Sequence, residues 1–348
     1  MYIASVGRAF PEHYYDQAAL LEALSRVWAS RFHNPARLEQ IFQNVLVGGR
    51  HLALPLEAYA ELNSFGARND VFIRSAVELG ARAIQAALER AGLHPADVDH
   101  LLFVSSTGIA TPSIDARLIN RLNLRHDLRR TPVFGWGCLA GAAGLARLAD
   151  DLRGYPDQVG VLLSVELCSL TVQLKDTSTA NLISSGLFGD GAAAVVMTGA
   201  TRPTAGPAVV ATRSVFYPNS EAVMGWEVTG DGFQVVLTAE VPDVVTQHVR
   251  GDVDRFLAAQ GLTRRDLRRY ICHPGGPKVL RALEQALELP PDALAASWSS
   301  LQRLGNLSSA SVLMILDDTL QTTAPAGSYD LVLAMGPGFC SELVLLRW

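Results

Sequence analysis

The sequence predicts a layered α/β architecture, and three observations carry that expectation. Short apolar runs alternate with longer amphipathic stretches along most of the chain. The runs are bounded by glycine or polar residues, too short for helices, and apolar on both faces, as strands covered on two sides must be. The length, 348 residues, leaves room for one large domain or two halves of about 150–200 residues.

Taken in order, Asp70 to about Ala91 has the spacing of an amphipathic helix and leads to the buried strand LLFVS, Leu101–Ser105. The strand-like TPVF ends in a Gly135-Trp136-Gly137 turn, after which a helix of Ala, Gly and Leu opens at Cys138. GVLLSVELC, Gly160–Cys168, and GAAAVVMTG from Gly191 are two more buried strands. Gly199–Ala208, GATRPTAGPA, lacks periodicity and reads as a linker between an N-terminal half, residues 1–200, and a C-terminal half, residues 208–348. Beyond it come strands, a helix from about Pro242 to Gln260, a strand ending at Cys272, helices around Pro277–Leu289 and Ser308–Leu320, and two closing strands. Two similar halves meeting at their strand ends place a site between them.

Composition narrows the function. Hydrophobic residues make up 49% and charged ones 18%, which excludes disorder and leaves apolar surface for another subunit. A net charge of −5 offers no footprint for nucleic acid or an anionic membrane. No uncharged apolar run reaches the ~18 residues of a membrane span, and the first residues lack the pattern of a secretory signal, so a cytoplasmic protein is expected. Cys138, Cys168, Cys272 and Cys340 lie far apart without C-x-x-C spacing, which argues against zinc, a redox dithiol and a disulfide framework.

Three residues at element ends could carry chemistry. Cys138 opens a helix after two glycines, where free N–H groups favour a thiolate; alone, it reads equally as a small buried hydrophobe. His273 stands where a β-rich run stops at His-Pro-Gly-Gly, placed as a base or donor, or as a turn cap. Asn306, in LGNLSSASVLMILDD, suits a helix N-cap or an oxyanion donor. Together, in the order Cys, His, Asn, they suit acyl chemistry. Glu166, alone among apolar strand residues, needs a partner or a cavity. Cys272 faces away from a site that His273 faces.

These segments resemble the type III polyketide synthases, the chalcone synthase-like branch of the thiolase-fold condensing enzymes. The resemblance spans nearly the whole chain and rests on the Cys138 segment, LFGDGAAAVV at Leu187–Val196, HPGGPKVL at His273–Leu280, GNLSSA at Gly305–Ala310 and GPGF at Gly336–Phe339. It implies a five-layer αβαβα fold, a homodimer, CoA thioesters as substrates, and no cofactor or metal. Cys138 becomes the acyl-accepting nucleophile, with His273 and Asn306 completing a triad. Phe188 becomes a gatekeeper, and Cys168, Thr171, Glu166, Gly275, Gly276, Ser308, Gly336, Pro337 and Gly338 line the substrate cavity. The second gatekeeper does not transfer: Phe233 is out of register and Val235 in register with Val241-Pro242. Thr111 falls where relatives send a side chain into the partner's cavity, while Arg50 and Lys278 are candidates for the CoA phosphates by position and charge.

The resemblance implies iterative decarboxylative condensation of malonyl-CoA onto a CoA-linked starter, then cyclisation. SVELCSL, Ser164–Leu170, resembles bacterial enzymes that take long-chain fatty acyl-CoA and make alkylpyrones or alkylresorcinols, and that starter is the first expectation. The alternative is a malonyl-CoA-only enzyme of tetrahydroxynaphthalene type, against which stands Ser106, where such an enzyme is expected to carry a further cysteine. Two other readings are a ketoacyl synthase initiating fatty-acid synthesis, opposed by His-Pro-Gly-Gly and GNLSSA, and a cysteine hydrolase of papain type, whose local Cys motif is missing.

Overall fold

The computed structural model describes every residue, Met1–Trp348. The N-terminal half runs β1 (Tyr2–Ala9), β2 (His13–Asp16), α1 (Gln17–Trp28), α2 (Pro35–Asn44), β3 (Gly49–Leu52), α3 (Phe65–Ala91), β4 (His100–Ser105), α4 (Ile114–Leu122), β5 (Arg129–Phe134), α5 (Ala140–Gly154), β6 (Val159–Leu167), α6 (Thr179–Leu187) and β7 (Asp190–Thr198). The C-terminal half runs β8 (Ala208–Phe216), β9 (Met224–Thr229), β10 (Gly232–Leu237), α7 (Val241–Ala258), β11 (Leu267–Cys272), α8 (Pro277–Leu287), α9 (Ala295–Leu304), α10 (Ser311–Leu320), β12 (Tyr329–Gly336) and β13 (Cys340–Arg347).

Nine strands form one sheet in the order β11-β12-β13-β8-β1-β7-β6-β4-β5. Its middle is thin, because β1 and β8 register through a single pair, Tyr2 with Ala208. The two half-sheets are built alike. In the first, β4 is parallel to β6, and β6, β7 and β1 follow antiparallel. In the second, β11 is parallel to β12, and β12, β13 and β8 follow antiparallel.

Helices fill the space between the halves and cover both outer faces. Alternation along β7 shows the division: Ala193, Val195 and Met197 join a central core with α5 and α10, while Ala192, Ala194 and Val196 join an outer core under α3. A third core lies under α7 and α8. The result is the expected five-layer αβαβα stack. The Ala/Gly composition of α5 follows from its central place, since a Cβ on Gly141 would lie 2.3 Å from the Ser309 carbonyl oxygen. A small separate core beneath α1 and α2 contains Trp28, Phe42 and Leu182.

Boundaries shift where caps decide them. The Ser64 side chain accepts from Ala67 N–H, so α3 starts at Phe65, before the apolar pattern sets in. β6 stops at Leu167, and Cys168 opens a 3₁₀ turn through Thr171.

Candidate active site

Cys138 is carried by a 3₁₀ turn, Gly137–Leu139, between β5 and α5. Gly137 has φ +55°, and a Cβ there would lie 2.6 Å from Pro337 Cδ, so this turn closes against the β12–β13 connection only without a side chain. The thiol is 7% exposed. Its hydrogen-bond partner is Ser308 Oγ at 3.6 Å. Burial, with the Glu166 carboxyl adding to it, pushes the thiol up to about 12. The thiolate expected from the helix N-terminus is thereby corrected: α5 proper begins two residues later, and desolvation outweighs the donors there.

His273 follows β11 directly, its N–H donating to Leu333 O at 2.8 Å. Cys272 is buried in the core under α7 and α8, paired across the sheet with Leu333. Both imidazole nitrogens are buried without a partner, and burial lowers the ring to about 3. Asn306 is 1% exposed and held at four points, its carbonyl accepting from Gly189 N–H at 3.0 Å. Its Nδ2 donates to Gly275 O at 3.3 Å, its Oδ1 accepts from Ser308 N–H, and its own N–H donates to Leu187 O. One Nδ2 hydrogen remains free.

Cys138, His273, Asn306, Phe188 and Gly275 line a single tight cavity of about 30 Å³. As separate groups the thiol and the imidazole are both neutral at pH 7. Burial disfavours either charge alone, so a charge on one of them favours the opposite charge on the other.

Glu166 sits behind this cavity. Its carboxylate accepts from Ser106 N–H and Ser106 Oγ, each at 3.1 Å, from Thr107 Oγ1 at 2.8 Å, and from Ser309 Oγ. Ser106 Oγ also lies 3.4 Å from Ser308 Oγ, so hydroxyls link the carboxylate to the Cys138 sulfur. Burial still raises the Glu166 pKa despite these donors. Cys168 is buried nearby with its thiol pushed up, and Thr171 Oγ1 donates to Cys168 O.

Several expected site residues fall elsewhere. Gly336 and Pro337 brace the nucleophile turn, Gly338 lies against Cys340 and Phe216, and the neighbours Met335 and Phe339 line the cavity instead. Gly276 packs near Leu187. Arg50 is 2% exposed, its guanidinium donates to Gln17 Oε1, Gly186 O and Ser185 O, and it does not line the Cys138 cavity, so it is not placed as an exposed CoA-phosphate ligand at that cavity's mouth. Lys278 is exposed in the first turn of α8, next to the cavity residue Val279. Phe233 packs against Phe65, Phe134 and Trp226 outside the cavity. Its strand contributes Leu237 instead, and Val235 is half-buried. Thr111 is exposed, close in the chain to exposed Ile109. The apolar wall of Met224, Leu237, Val245 and Leu333 was not singled out from sequence; only the alternation of Leu333 and Met335 on β12 signals it.

Known families cover both halves. Residues 1–201 match the chalcone and stilbene synthases, N-terminal domain, and residues 208–348 match the corresponding C-terminal domain. The chain belongs to the chalcone and stilbene synthase family. As a type III polyketide synthase it is an acyltransferase-type enzyme condensing malonyl-CoA, which sets aside the ketoacyl synthase and hydrolase readings. A 1,3,6,8-tetrahydroxynaphthalene synthase of Streptomyces peucetius subsp. caesius is 51% identical, covering 99% of this chain and 93% of that protein. A putative chalcone synthase of Bacillus subtilis (strain 168) is 35% identical, covering 100% and 98%. The crystal structure of 1,3,6,8-tetrahydroxynaphthalene synthase from Streptomyces coelicolor A3(2) superposes with a TM-score of 0.95 at 31% identity, covering 100% and 99%. These relatives give the long-chain starter no support and favour the malonyl-only alternative. No helix is long and apolar enough to cross a membrane, and no three His, Cys, Asp or Glu side chains gather as a metal site.

Proposed function

We propose that this synthase uses malonyl-CoA as both starter and extender and forms a tetrahydroxynaphthalene-type product, in the cytoplasm and as a homodimer. The observation that carries the reading is the 51% identity, over nearly the whole chain, to a 1,3,6,8-tetrahydroxynaphthalene synthase; Cys138, His273 and Asn306 share one tight cavity in which the condensation would take place. The kinship with that synthase supports malonyl-CoA as the sole substrate. Ser169, in the segment behind the fatty-starter expectation, and the adjacent Thr171 are engaged by Asp190 and by Cys168 O. Ser106 does not oppose this reading, because its hydroxyl already joins Ser308 to Glu166.

The chemistry follows from the groups present. The Cys138 proton passes to His273 as sulfur attacks the thioester, and the imidazolium returns it to the departing CoA thiolate. A second malonyl-CoA then loses CO₂, and its enolate oxygen takes hydrogen bonds from His273 and the free Nδ2 hydrogen of Asn306. The nearby Phe188 ring favours neutral CO₂ over the carboxylate. The enolate carbon attacks the Cys138 thioester and frees the thiolate, and the chain, now on CoA, returns to sulfur for the next cycle. Flexible Met224 and Met335 side chains yield as it lengthens. The oxyanion donors are protein groups, so no metal or cofactor enters, and Lys278 meets the CoA phosphates. All four cysteines are free, in keeping with a reducing compartment. Thr111, exposed beside exposed Ile109, is the residue assigned to reach the partner's cavity in that homodimer.

The test is product mass from purified protein with malonyl-CoA alone, with Cys138→Ala as control. An aromatic pentaketide absent from the control is expected. Product only when a long-chain acyl-CoA is added would overturn the starter assignment.

A further inference from the structure

A cavity larger than the one around Cys138 lies beside it. It measures about 440 Å³, within the ~300–1,000 Å³ of small-molecule sites, and lies between α1, the Leu56–Glu61 turn and the Cys168–Leu174 segment. The face of α1 that lines it is aliphatic: Ala19, Leu20, Ala23, Leu24 and Val27. The exposed Glu22–Arg26 ion pair marks its rim. Its inner wall holds Arg50, Tyr59, Ser169 and Phe188, and the Phe188 ring also borders the Cys138 cavity.

Arg50 makes this more than an apolar void. Its guanidinium is buried, yet every acceptor on it is a neutral oxygen, from Gln17, Ser185 and Gly186. Asp190, the carboxylate that acts on it through space, turns its oxygens to Ser169 and Ala53 N–H. The Arg50 Nε–H has no acceptor. A buried cation without a bonded anion is costly, and an acceptor from a ligand removes that cost. Aliphatic walls ending at such a cation fit one chemistry.

We infer that this cavity binds an alkyl monocarboxylate, its chain along α1 and its carboxylate at Arg50, at a site separate from the one around Cys138. A shared Phe188 wall makes the occupant a neighbour of the reacting groups without contact with them. Titration calorimetry with decanoate and decanol tests the assignment on the unaltered protein. Saturable binding of decanoate is expected, at least about tenfold tighter than decanol, since a hydrogen bond to a charged group is worth ~1.5–3 kcal/mol. Binding persists after Cys138 is capped with iodoacetamide, and is weakened at least about tenfold by Ala23→Trp, which fills the α1 side. Equal affinity for acid and alcohol, loss on capping Cys138, or no binding because a second copy of the chain covers the cavity would each overturn it.

Discussion

Replacing His273 with Gln isolates what the imidazole does for the nucleophile. Without it, burial, the Ser308 hydroxyl and the Glu166 carboxyl act on Cys138, and they leave the thiol at about 12, against 9.0 for an unperturbed one. At pH 8 the thiolate fraction is then about 10⁻⁴, against ~10⁻¹ for the unperturbed thiol, and it grows about tenfold per pH unit. The sign follows from the direction: a raised thiol pKa means the reactive form accumulates as pH rises, without a plateau below about pH 11. With His273 present the proton has an acceptor inside the cavity, and the pair forms its charges together, so alkylation persists at neutral pH. The assay is the rate of iodoacetamide labelling at Cys138, followed by intact mass from pH 6 to 10. His273→Gln is expected to lose at least about 100-fold in rate at pH 7 and to climb steadily with pH. A His273→Gln profile that matches the wild type at pH 7 would refute proton transfer to His273.

Asn306→Ala removes one enolate donor, and malonyl-CoA decarboxylation should fall by about 10²–10³, measured as CO₂ release, while Cys138 remains labelled by iodoacetamide. Gly137→Ala forces a side chain into left-handed backbone against Pro337; a destabilisation of at least about 2 kcal/mol is expected in denaturant melts. Lys278→Ala should raise KM for malonyl-CoA about two- to fivefold with kcat unchanged, the scale of an exposed ion pair, and the difference should vanish in high salt.

The strands were legible because burial on both faces leaves an unbroken apolar run, as in Gly160–Leu167 and Gly191–Thr198. The three functional residues were legible because each sits where a periodic segment stops. What sequence could not give was the environment of each group. Arg50 reads as a surface cation until Gln17 and the carbonyls of Ser185 and Gly186 close over it from distant segments. Phe233 reads as a displaced gatekeeper until Phe65, Phe134 and Trp226 enclose it. The Cys138 thiol reads as activated by a helix end because desolvation is a sum over neighbours that one segment does not contain.

The likeness of the two halves explains why the reacting groups meet where they do. In each half a buried helix leads into a central strand, α5 into β6 and α10 into β12, and each helix follows a single 3₁₀ turn. Those turns, Gly137–Leu139 and Ser308–Ala310, occupy equivalent places and approach in the central layer, where Cys138 Sγ and Ser308 Oγ are 3.6 Å apart. Asn306 enters just before the second turn and is fixed by Gly275, two residues beyond His273. Hence neither half can assemble the site alone: the first supplies the nucleophile, and the second supplies both donors. The half-sheets register through only one residue pair, so packing in the central core sets their separation, and the close approach of α5 to the Ser308–Ala310 turn at Gly141 is part of it. A change there acts on catalysis through geometry, although Gly141 touches no substrate.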